Sequence, residues 1–221
     1  KLMKNNFLAL FIALVFFSPA IADNLNIQAS SVTIDKESKL TIFKDEVVAI
    51  DAQNNIVESN YAEYQKDIKL LKSIGKTNIK TSEGYILAGE DIIFDNKNNT
   101  IISDKPATLI DLENNNIYLE NFEYSTKNKF FKSIGKIVVK DSKSNSYHFT
   151  QIYIDEKKRE IIGTDTKTFL NEDSFKINKK NKPRVFANTV KIDKFENQFT
   201  KSVFTLCDYR KKDKCPPWSL Q

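Results

Sequence analysis

The chain has 221 residues, 40% of them hydrophobic and 29% charged, with a formal net charge of +5 at pH 7. Without residues 1–22, which hold two Lys and no acid, 32 basic residues face 29 acidic ones, or +3, too small an excess to imply nucleic-acid binding. A single histidine and five glycines argue against a histidine-based catalytic centre or a Gly-rich phosphate loop.

In chain order, Met3-Lys4-Asn5-Asn6 precede an apolar run over residues 7–17, which ends in Ser18-Pro19-Ala20-Ile21-Ala22. A basic start, a short apolar segment and an Ala-x-Ala end predict an export signal over residues 1–22, cleaved before Asp23. The run is short for a helix that crosses a bilayer. Lys1 and Leu2 stand ahead of the initiator-like Met3 and read as translated upstream sequence.

Beyond Asp23 an apolar pair returns about every 30 residues: Val32/Ile34, Ala62/Tyr64, Ile92/Phe94, Phe122/Tyr124, Ile152/Ile154 and, after a longer interval, Val190/Ile192. Within a pair the two residues are separated by one, which sets both on the same face of an extended strand. A short polar residue follows each pair (Asp35, Gln65, Asp95, Ser125, Asp155, Asp193) and opens a polar stretch, as in Asn96-Lys97-Asn98-Asn99. Asn and Asp side chains hold such turns by bonding their own backbone.

A second apolar group comes next (Leu40/Ile42, Leu70/Leu71, Ile101/Ile102, Phe130/Phe131, Ile161/Ile162). A third alternating run then leads to Val57, Leu87, Ile117, Tyr147 and Val185. Each unit reads as two or three short strands. Residues 72–80 (KSIGKTNIK) recur as residues 132–140 (KSIGKIVVK), two units on. No 3.6-residue periodicity is sustained, and Ile, Val, Phe, Tyr and Thr fill the runs, so the fold class is all-β: a stack of about six such units. Residues 23–206 form one elongated domain, interrupted by an insertion loop over residues 171–183.

Chemistry is sparse along this stack. His148 alternates with Tyr147 and Phe149 and is expected to point outward. The recurrent Asp35, Asp95, Asp155 and Asp193 lack the Gly-rich nonapeptide of a calcium-binding β-roll and are assigned to turns. No rung gathers the carboxylates and arginines of a polysaccharide-cleaving β-helix. The expectation is a protein that is not an enzyme and takes no cofactor or metal. The basic runs over residues 176–184 and 210–214 are read as solvated loops. Cys207 and Cys215 belong to an exported chain, where disulfides form. They can bond each other or each await another partner, and metal binding is the weaker third choice.

The repeats, above all Ala88-Gly89-Glu90-Asp91-Ile92-Ile93-Phe94-Asp95, resemble the periplasmic domains shared by LptA, LptC and LptD. The tail from Cys207 through Cys215-Pro216-Pro217-Trp218 to Gln221 resembles the LPS-assembly protein family LptD, also called organic solvent tolerance protein OstA. The resemblance covers residues from about 25 to 221. It implies an antiparallel β-jellyroll, or β-taco, with residues 207–221 a Cys-containing linker toward a C-terminal outer-membrane barrel absent from this sequence. In that family disulfides join this region to the barrel.

The resemblance further implies lipopolysaccharide transport and assembly at the outer membrane, with this region in the periplasm. The implied partners are lipopolysaccharide, an LptA-like bridge added by β-augmentation at the edge formed by residues 27–34, and an LptE-like lipoprotein reached through the barrel. Each acyl methylene exposed to water costs about 0.8 kcal/mol, so a multi-chain glycolipid needs an apolar track to cross an aqueous space. The expected lining, an accessible slot, is Val32, Ile34, Tyr64, Ile92, Phe94, Phe122, Tyr124, Ile152, Ile154 and Ile192. A structural, adhesin-like β-solenoid and a soluble LptA-like bridge are the alternative readings.

Overall fold

The computed structural model describes residues 25–175 and 183–206; the expected signal over residues 1–22, Cys207, Cys215 and the rest of the tail lie outside them. The chain opens with β1 (Asn26–Gln28), β2 (Ser31–Asp35), β3 (Leu40–Ile50), β4 (Ile56–Gln65), β5 (Leu70–Ser73) and β6 (Lys76–Lys80). The middle is made of β7 (Ile86–Glu90), β8 (Ile93–Asp95), β9 (Thr100–Ser103), β10 (Ala107–Ile110), β11 (Asn116–Leu119) and β12 (Phe122–Ser125). Long strands return with β13 (Phe130–Lys140), β14 (Ser146–Asp155), β15 (Glu160–Phe169), β16 (Arg184–Ile192) and β17 (Asn197–Thr205). One 3₁₀ turn, Glu172–Phe175, stands in the expected insertion between β15 and β16.

All pairings are antiparallel, and they form two walls. The first runs β2-β3-β4-β5-β8-β9-β12-β13-β14-β15-β16-β17. The second runs β1-β3-β4-β6-β7-β10-β11-β13 and onward through the same final strands. Strands β3, β4 and β13 to β17 belong to both walls, so each bends across a shared spine. In the middle of the molecule the bend breaks the strand in two, giving β5/β6, β7/β8, β9/β10 and β11/β12. The unit is therefore a pair of bent strands, intact at the ends of the stack and split at its centre, where two or three short strands were expected.

The bend has a local cause. An extra residue enters β3 between Lys44 and Val47 and β13 between Ile134 and Ile137, and such bulges kink a strand. Asp45, Gly75, Gly135 and Asp165 take positive φ at the spine. The duplicated Ser-Ile-Gly-Lys segments supply two of these corners. Gly135 holds φ 125°, which a side chain would strain, and beside it the Glu120 carboxylate accepts the Lys136 amide.

Two series of turns lie at the free margins. On the first wall Lys39, Lys69, Asn99, Lys129 and Arg159, each 30 residues after the last, close the turns in the left-handed region. The expected side-chain turns are present: Asp35, Asp95 and Asp193 each accept two amides of the turn that follows, and Asp155 accepts that of Lys158. On the second wall Asn54, Gly84, Asn114 and Ser144 hold the left-handed position, again 30 residues apart. There Asp51, Asp111 and Asp141 bind Asn55, Asn115 and Asn145 through both backbone and side chain at 2.7–2.8 Å.

Candidate functional site

The inner faces of the two walls meet in one apolar cluster that runs the length of the stack. Ile92, Phe94, Phe122, Tyr124, Ile152 and Ile154 project from the first wall and are buried; Tyr64 and Ile192 are half-buried at its margins. The second wall answers with Val57, Leu87, Leu109, Ile117, Ile137, Val139 and Phe149. Tyr124 stacks on Phe131 with ring centroids 4.1 Å apart.

The expected open slot is thus corrected for most of its length. Facing apolar walls close on each other to exclude water and reach the packing density of a protein interior, so Phe94 is only 2% exposed. Val32 and Ile34 differ, at 52% and 69% exposed. They sit on β2 beside Phe43 and Thr41 of β3, on the face that continues the column, where no further strand among the described residues covers them.

The walls converge toward the spine, which sets residue size. Ser73, Ser103, Ser133 and Gly163 recur there at 30-residue intervals. A Cβ on Gly163 would come within 2.3 Å of the Phe149 ring on the opposite wall. Ser73 and Thr77 satisfy each other across the bend at 2.5 Å, while the buried hydroxyls of Ser133, Thr166 and Thr168 have no partner among the described residues.

Opposite the spine, the turns of the two walls meet at the mouth, and the contacts there are polar. Thr81 Oγ1 of the second wall donates to Glu156 Oε1 of the first at 2.7 Å, and Lys129 Nζ of the first donates to Ser82 Oγ of the second. Tyr124 OH donates to the other Glu156 oxygen at 2.7 Å. Glu156 is 2% exposed, and burial pushes its carboxyl above the usual range against the opposing pull of Tyr124, Thr81 and Lys129. Farther along, Arg159 lies 4.0 Å from Glu113, and Asn197 donates to Tyr147 OH at 2.9 Å.

Beside that last contact the mouth is not filled. A pocket of about 270 Å³ between the turns has Val139, Tyr147 and Ile192 of the column among its walls, with Lys143, Lys194, Asp141, Asp193 and Glu196 around it. Phe195 stands at its lip, 89% exposed. A second pocket, about 460 Å³, lies at the spine and reaches the column only through Phe122, Ser103 and Ser133. His148 points away from the column as expected: its Nε2 is 3.1 Å from Ser146 Oγ and its ring meets Phe169 edge-on, with burial the main cause of a lowered pKa.

The mouth has no counterpart among the residues expected from the sequence. Residues 36, 66, 96, 126 and 156 occupy one turn position as Lys, Lys, Asn, Thr and Glu, and only Thr126 and Glu156 are buried there. A usable signal did exist: the second-wall turns open with Asp at 51, 111 and 141 but with Thr at 81, where Glu156 arrives.

Neither a protein-family model nor a curated protein sequence matches the chain. Among solved structures the chain is similar to LptH of Pseudomonas aeruginosa, described as the LptA-homologous periplasmic component of the lipopolysaccharide transport device. The likeness has 14% identity and a TM-score of 0.25, and covers 60% of this chain and 76% of that one.

Proposed function

We propose that this chain carries lipopolysaccharide through the periplasm, its acyl chains entering the apolar column while the sugar headgroup stays in water. One observation supports this most: a two-walled apolar column with an uncovered end at Val32 and Ile34 and a side pocket at Ile192. Neighbouring large apolar side chains left exposed where they continue a buried column suit an apolar ligand or partner. The chain acts as a carrier and not as an enzyme. The finer reading, supported by the Cys207 to Trp218 tail, is an LptD-type assembly protein: this region receives the glycolipid from an LptA-like bridge and delivers it to an outer-membrane barrel with its LptE-like lipoprotein.

Strand β2 pairs only with β3, and β17 only with β16, so each end of the first wall has one unpaired edge among the described residues. Such edges accept a further strand. An edge at β2 suits the incoming bridge. If β17 likewise accepts a strand, the second reading, a soluble bridge extended at both ends, is favoured.

Photo-crosslinking residues placed at Ile34, Phe122 and Ile192 in cells test the proposal. Capture of lipopolysaccharide at Ile34 and Ile192 is the expected result. Clean failure at all three, in variants that accumulate normally, would overturn it.

A further inference from the structure

The geometry points to a gate: the Thr81–Glu156 and Ser82–Lys129 contacts form a clasp that holds the mouth shut over the column, and its release admits acyl chains. This rests on the carriage reading above and adds where and how the column opens.

Both contacts cross from one wall to the other, over sequence separations of 75 and 47 residues. Each joins turns, not strands, so breaking them disrupts no backbone ladder. Glu156 and Lys129 are both buried, at 2% and 7% exposure, and both regain water when the mouth parts. A seam of buried charged and hydroxyl groups is therefore easier to reopen than an apolar one of the same area, because hydration compensates what the contacts lose.

The turn chemistry fits the same role. Asp opens the sister turns at 51, 111 and 141, binding their own Asn55, Asn115 and Asn145. An Asp at 81 would set a second carboxylate against Glu156. Thr81 keeps the turn, since its Oγ1 accepts the Tyr85 amide at 3.1 Å, and its hydroxyl hydrogen is left to donate to Glu156. Position 81 departs from its series at the one turn where a donor is needed.

The test uses Ile154→Cys, two residues before Glu156 on the inner face of β14, in a Cys207→Ser/Cys215→Ser background, and follows the rate at which a maleimide reaches that thiol. Thr81→Asp keeps an acceptor for the Tyr85 amide that holds the turn, but sets a second carboxylate against Glu156. The expected result is labelling faster by about tenfold or more. Adding Glu156→Gln, whose amide donates to Asp at 81, returns the rate to its starting value. Thr126→Val removes a buried threonine-hydroxyl bond to the Asn99 backbone carbonyl, within the first wall alone, and leaves the rate unchanged. Unaltered labelling in Thr81→Asp, or no rescue by the double variant, overturns the clasp. Uptake of a dansyl-labelled undecanoic acid by the same proteins separates the two ideas: faster uptake with faster labelling supports the gate, and faster labelling with no uptake in any variant counts against the carriage reading.

Discussion

At the scale of single residues, the column is set by size and the mouth by charge. Gly163 faces Phe149 where the walls converge, and the ring is itself buried. Gly163→Ala should lower stability by about 1–3 kcal/mol in chemical denaturation, because the ring has nowhere to go. An unchanged midpoint would show that the spine is looser than these contacts imply. Period alone makes position 163 equivalent to Ser73, Ser103 and Ser133, so its smallness was legible in the sequence. The ring that demands glycine was not, since Phe149 reaches it from the opposite wall.

At the scale of elements, strands were legible and corners only in part. Alternation places Ile92, Phe94, Phe122, Tyr124, Ile152 and Ile154 on one face because a strand has no other way to present them. Turns after Asp35, Asp95, Asp155 and Asp193 follow from side chains that satisfy adjacent amides. The closing residue was less predictable: four of the five left-handed positions on the first wall are Lys or Arg, although this region favours Gly and Asn. Lys39, at φ 55°, is exposed in such a turn. Lys39→Asn should stabilise the domain by up to about 1 kcal/mol in thermal denaturation, since Asn enters that conformation more readily. A lower midpoint would mean that the lysine side chain contributes more than its backbone costs.

At the scale of the whole molecule, closure of the mouth links stability to pH. Burial raises the Glu156 carboxyl, and Glu83 adds to the rise; Lys129, Tyr124 and Thr81 oppose it, and Asp51, Tyr85 and Arg159 lie within electrostatic reach of the same cluster. A carboxyl with a raised native pKa holds its proton longer in the folded state. Its contribution is complete below the unfolded value of 4.5 and is lost as pH rises through the folded one. Relative to Glu156→Gln, the wild-type protein should therefore lose stability as pH climbs from about 4.5 toward neutrality, measured by paired thermal melts. Parallel curves for the two proteins would show that Glu156 titrates normally. Asp155, which burial pushes up but its bonds to Lys158 and the charge there hold low, loses its contribution as pH falls below about 3.8 in both proteins and so cancels from this comparison.

The amino-acid order by itself determined the strands, their 30-residue unit, the polar corners and the apolar face of each strand, because all of these are local consequences of alternation and turn chemistry. Only the tertiary structure decided that the column is packed shut along most of its length, that it is uncovered at Val32 and Ile34, and that a buried Glu156 fastens the mouth. Those outcomes depend on which wall faces which. A spine bent by inserted residues brings turn 81 against turn 156, and no pattern confined to one strand records that meeting.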